Sequence, residues 1–97
     1  MTYLVVCTFD LKSATQQDYS DAYARLERIG LKKVIIGEAG QRVVAPTTTT
    51  AGEFNGQSAT QVRDSVLGQV RAAFAARFSS EIFVVVGGDW AWGANTT

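Results

Sequence analysis

Any chemistry in this chain would begin at Asp10. It closes the apolar run of "LVVCTFDLKS" at residues 4–13, where a strand would hand a carboxylate to the surface. Two readings compete there. Asp10 is a metal ligand or catalytic acid at the mouth of a strand, or it is a solvated turn residue with Lys12 beside it. Mg²⁺ or Mn²⁺ would suit the first, because hard divalent cations take carboxylate and water oxygens. A bound metal could then activate water for attack on a phosphodiester. The turn reading is the simpler, since one carboxylate makes a thin site.

Other reactive groups are few. Cys7 is the one cysteine and there is no histidine. A lone thiol forms neither an intrachain disulfide nor a zinc cluster. With no histidine to activate it, Cys7 reads as a buried, inert side chain, and a Ser-His-Asp triad is excluded. "GGDWAWG" at residues 87–93 is not a phosphate loop, because neither GxxxxGK[ST] nor GxGxxG accompanies it. Trp90 and Trp92 stand two apart, so an extended tail turns both rings to one side. Such rings need cover. They fold back on their own sheet, pack at a dimer interface, or stack on a ligand.

Composition bounds the class. A chain of 97 residues, 46% apolar, is long enough for one core and too apolar for disorder. Nine Lys and Arg balance nine Asp and Glu. That neutrality withholds the broad positive field of a nucleic-acid binder. No basic n-region precedes the first apolar run, which is too short to span a membrane. The expectation is a cytoplasmic protein with no membrane contact.

These residues need elements to position them. Residues 3–9, "YLVVCTF", read as a central strand with both faces at least partly buried. Thr15 and Asp18 form a capping box, and Tyr19, Ala22, Tyr23, Leu26 and Ile29 follow at helical spacing. The two tyrosines read as helix core. Gly30 supplies the left-handed stop, with Leu31 as its hydrophobic contact. Residues 32–37 make a second strand, and "GEAG" at 37–40 is a turn. Residues 41–54 are strand-rich, but Pro46 cannot donate to a ladder. They predict one long bent strand or two short ones. Ser58 with Gln61 reads as a second capping box. Ala59, Val62, Val66, Val70, Ala73 and Phe74 then stripe a helix to about Arg77. Within it Gly68 would allow a neighbouring backbone to approach. Arg63, Arg71 and Arg77 read as its solvated face. "EIFVVV" at 81–86 is the last strand.

The order β-α-β-β-α-β, with right-handed crossovers, predicts an α+β ferredoxin-like sandwich. Its antiparallel sheet runs 4-1-3-2 with both helices on one face. The domain occupies residues 1–93, and 94–97 are a frayed tail. In this topology Asp10 and Asp89 sit at opposite ends of the sheet. An Asp10 site must therefore recruit Glu38, Glu81 or the Asp10 of a second subunit. The last strand is an edge, yet unusually apolar, and an apolar edge must be covered. A second copy is one way to cover it, through Phe83, Val85, Trp90 and Trp92.

The stretch from "TFDL" to "LERIGLKKV" resembles the small CRISPR-associated adaptation nucleases, and is similar also to the VapD-type ribonuclease toxins. The likeness covers mainly residues 3–36, with "AGEF" at 51–54 a faint echo of a further family stretch. The resemblance implies a ferredoxin-like dimer in which Asp10 lies at the interface and holds a divalent metal. Val34, Ile35 and Ile36 depart from the polar second strand common in the adaptation nucleases. The residues themselves favour a non-enzymatic homodimer: a regulatory, immunity-type or toxin-neutralising module with a protein partner and no cofactor. The alternative is a metal-dependent nuclease using Mg²⁺ or Mn²⁺. A relative that keeps the fold without the chemistry is a third reading.

Overall fold

The opening apolar run forms β1 (Thr2–Leu11), the middle strand of a three-stranded antiparallel sheet. The computed structural model describes residues 1–37 and 39–96. Side chains alternate along β1 as a strand requires. Tyr3, Val5, Cys7, Phe9 and Leu11 are buried, while Leu4, Val6 and Thr8 are half-buried on the other face. The buried set meets Ala22 and Leu26 of α1 (Gln16–Ile29) and Val62, Val66, Val70 and Phe74 of α2 (Ala59–Ala75) in one core. Both helices therefore cover one face of the sheet, and the opposite face carries no helix.

Caps delimit both helices. Thr15 Oγ1 accepts from the Asp18 N–H at 3.2 Å, and Asp18 Oδ2 accepts from the Thr15 N–H at 3.0 Å. That is the full reciprocal box expected of α1. At α2, Ser58 Oγ accepts from the Gln61 N–H at 3.0 Å. The Gln61 side chain, however, accepts from Gln57 at 3.2 Å and not from Ser58. The longer amide reaches one residue past the cap, so this box is only half formed. Gly30 ends α1 at φ 110°, ψ 9°, the left-handed stop its position predicted.

The sheet departs from the expected order. β4 (Thr49–Asn55) and β5 (Ser80–Gly87) flank β1, giving β4-β1-β5. β2 (Val34–Ile36) pairs instead with β3 (Arg42–Val44) in a separate two-stranded sheet. One antiparallel bridge, Lys32 to Ala51, links the two sheets. The 4-1-3-2 order is thus not realised as one continuous ladder. The break has two local causes. Pro46 offers no N–H, and its carbonyl closes a turn by accepting from Thr49 N–H at 3.0 Å. Thr48 then takes φ 63°, outside any strand. The region 41–54 is accordingly two short strands, one of the two forms expected of it.

Gly68 also departs from expectation. It lies exposed on α2, and among the described residues nothing comes within 4 Å of an added Cβ. The close approach occurs at Gly52 instead, where a Cβ would sit 2.0 Å from the Gly30 carbonyl oxygen.

Candidate functional site

Asp10 is a strand residue and not a turn residue as the simpler reading had it: it lies inside β1, its side chain on the helix-free face, directly across the ladder from Glu81 of β5. Opposed residues on one face bring their Cβ atoms to roughly 5 Å. Of the acids that topology left open, Glu81 is therefore an immediate neighbour of Asp10. Glu38 lies outside the described residues. Asp89 follows the end of β5, where Gly87 pairs with Leu4, so it sits at the far end of the sheet. The Tyr19 hydroxyl lies 3.4 Å from Asp10 Oδ1 and donates within reach of the Leu11 carbonyl at 3.3 Å. Among the described residues, no group of three or more His, Cys, Asp or Glu gathers to hold a metal ion. What Asp10 and Glu81 form is a pair of like charges on a shallow recess shared with Thr8 and Phe83.

The tyrosine rings are core, as their spacing predicted, but their hydroxyls have work of their own. Tyr19 and Tyr23 pack on Phe9 at 6.2 and 5.5 Å between ring centroids. The Tyr23 hydroxyl accepts from the Thr48 N–H at 2.6 Å, and Lys33 lies 4.8 Å over its ring. This bond ties α1 to the left-handed turn after Pro46. A threonine with positive φ is rare, and nothing in its sequence neighbourhood announces one. Ionic ties fasten the helices at the same end. Arg77 contacts Asp18 at 3.3 Å and Asp21 at 3.0 Å, so it is more than a solvated face. Arg63 pairs with Asp64 at 2.9 Å, exposed, as a solvated arginine would. Arg25 reaches the Ala73 carbonyl at 3.0 Å.

Cys7 is buried, and burial pushes its thiol up to about 11, with a smaller opposing effect from Thr50. It is a core side chain with no nucleophilic character at neutral pH.

The helix-free face is the more unusual surface. Phe83 is 65% exposed and Val85 is 48% exposed, both on the same side of β5 as Glu81. Across the ladder from them stand Thr8 and Val6. The C-terminal tail leaves β5 and borders a cleft of about 820 Å³ with Ile36, Gln41, Val43 and Glu53. Trp90 and Trp92 both line this cleft, and Trp92 also flanks Leu4 and Ala51. Trp90 is half-buried beside the hairpin and β4, and Trp92 stays 39% exposed. Phe83 and Val85 do not line this cleft.

No family model matches this chain, and no curated protein matches it. No helix among the described residues is long and apolar enough to cross a membrane.

Proposed function

We propose that this chain is a small non-enzymatic binding module that works as a homodimer in the cytoplasm. One observation carries the reading: an aromatic and a β-branched side chain stand exposed side by side on the outermost strand of the sheet. Large apolar groups placed together on a strand mark an interaction surface more often than a free one. The rest of the site agrees with binding. The thiol is buried, two acids meet at the site among the described residues, and the formal charge of zero gives a polyanion little attraction. We read the architecture as ferredoxin-like, with the Lys32–Ala51 bridge standing in for the missing ladder between β2 and β4.

The Asp10–Glu81 pair favours a second reading, a nuclease holding Mg²⁺ or Mn²⁺ on two carboxylates. One assay separates the two. Purified protein is incubated with short RNA, single-stranded DNA and duplex DNA, with and without Mn²⁺. We expect no cleavage. Cleavage by the wild type that vanishes in Asp10→Asn promotes the nuclease. Sedimentation at high micromolar concentration tests the dimer, and a monomer there refutes the leading reading.

A further inference from the structure

We infer that the outer edge of β5 is a homotypic pairing site, where two copies join antiparallel about a two-fold axis through Val84. Two three-stranded sheets then become one continuous sheet. This rests on the homodimer reading and gives it a geometry.

The direction of each backbone group on β5 can be worked out. In an antiparallel ladder, a residue sends its N–H and C=O to the same neighbour, and successive residues alternate sides. The Lys12 N–H donates to the Ser79 carbonyl at 2.9 Å. The register continues through Asp10 with Glu81 and Thr8 with Phe83, so odd-numbered residues of β5 bond β1. The other side of β1 agrees: its Phe9 N–H donates to Thr48 of the β4 side at 3.1 Å. Ser80, Ile82, Val84 and Val86 therefore aim their N–H and C=O groups away from the sheet. Among the described residues no strand receives them. Protected edges carry lysine, proline or a bulge. The sequence of β5, SEIFVVVG, has neither lysine nor proline, its one charge is Glu81 near its start, and its register with β1 runs unbroken from Ser80 to Gly87.

The occupant is a second copy because the edge complements itself. A two-fold axis normal to the sheet keeps the helix-free faces together, so paired residue numbers must sum to an even value. With the axis at Val84, Ile82 meets Val86 and Val84 meets itself, all through outward-facing groups. On the helix-free face Phe83 meets Val85 of the second copy at a non-hydrogen-bonded position, where side chains approach closest. Glu81 meets Gly87, so no like charges oppose each other. With the axis at Phe83, Glu81 would instead press on Val85. The zero net charge of each copy adds no repulsion at long range.

The test uses Phe83→Cys and Val85→Cys under mild oxidation, each alone and mixed in equal amounts. The native Cys7 is buried and does not compete. Non-hydrogen-bonded partners lie about 4.5 Å apart at Cα, within disulfide reach. A cross-linked dimer is expected from the mixture and from neither variant alone. A Phe83→Cys protein that links to itself moves the axis and overturns the register. A wild-type dimer with no cross-link in the mixture overturns edge pairing but leaves the homodimer reading standing. A wild-type monomer overturns both. Val84→Pro supplies an independent check, because it removes an N–H that β1 does not use. It is expected to be monomeric with a wild-type circular dichroism spectrum, and a folded Val84→Pro dimer overturns the inference. Should that variant not fold, the cysteine mixture decides.

Discussion

Gly30 and Gly52 hold one contact from its two sides. Gly30 turns left-handed to end α1, and its carbonyl then lies where a Cβ on Gly52 would stand, at 2.0 Å. A Cβ on Gly30 would meet the Phe54 ring at 3.3 Å as well. Gly30→Ala is expected to cost about 1 kcal/mol from its backbone alone. Gly52→Ala forces its methyl group against the Gly30 carbonyl and is expected to cost about 1–3 kcal/mol, as overpacking does. Gly68→Ala should go the other way, gaining up to about 1 kcal/mol in an exposed helix interior. Urea midpoints of the three variants check the order, and a Gly52→Ala protein as stable as wild type would refute the contact. Asp10→Asn is expected to shift stability by no more than about 0.5 kcal/mol, as at ordinary surface sites. Cys7 has a pH signature. Its thiol is raised in the folded state from 9.0 to about 11, so the unfolded chain ionises first. Stability from this group is complete below pH 9 and is lost as pH rises toward 11. Cys7→Ala should flatten that alkaline fall in thermal midpoint.

Among the elements, α1 was the most legible. Its capping box, apolar spacing and glycine stop are all local signals, and each was found where the residues placed it. Asp18 shows what the cap contributes. The Thr15 N–H first, then the Thr15 side chain and Arg77, hold the Asp18 carboxyl below 3.8 against the opposing effect of burial. A carboxylate depressed in the folded state stabilises above its unfolded value and loses that effect as pH falls through the folded one. The stability gap between wild type and Asp18→Ala should therefore be full at neutral pH and shrink below pH 3.8. A gap independent of pH would show that the carboxylate charge contributes nothing to the cap, since the Thr15 hydroxyl bond to the residue-18 N–H survives in the variant. The region after β2 was less legible. Pro46 announced a break, but the left-handed Thr48 did not, because β-branched residues disfavour that backbone. The hydroxyl that supports it comes from Tyr23, on another element. Likewise Gly68 and Gly52 look alike in a string of letters, and only the chain packed beside each decides its role.

At the scale of the whole molecule, the strand order turns on one short segment. β1, α1, α2 and β5 follow from continuous apolar patterns, and the core they build is the one expected. β2 carries apolar residues on both sides, so pattern alone does not say whether it joins β4 or β3. The site was legible in part. Topology named Glu81 as a possible neighbour of Asp10, and the register places them opposite. The role of Tyr19 beside them was hidden by its reading as core. Edge pairing also bears on one form of the metal reading, a site shared between two copies. Pairing at Val84 would hold the two copies of Glu81 roughly 20 Å apart, six residues of strand at about 3.4 Å each. A metal shared by two copies of Asp10 needs them together. A dimer that cross-links through residues 83 and 85 is thus expected to hold no metal between two copies of Asp10, and any metal-dependent cleavage it shows would have to come from the Asp10–Glu81 pair of a single copy.

Both tryptophans of the chain line the cleft between the tail and the hairpin, and neither belongs to the core. Intrinsic fluorescence is therefore a gauge of tail docking, whereas the Cys7 thiol, sealed under the helices, is a gauge of global opening. Should the tail detach before the core melts, the fluorescence transition will precede thiol labelling along a urea gradient. Coincident transitions would mark tail and core as one cooperative unit. Deleting residues 89–97 removes both tryptophans and leaves only the emission of Tyr3, Tyr19 and Tyr23, so the thiol then becomes the clearer reporter of unfolding.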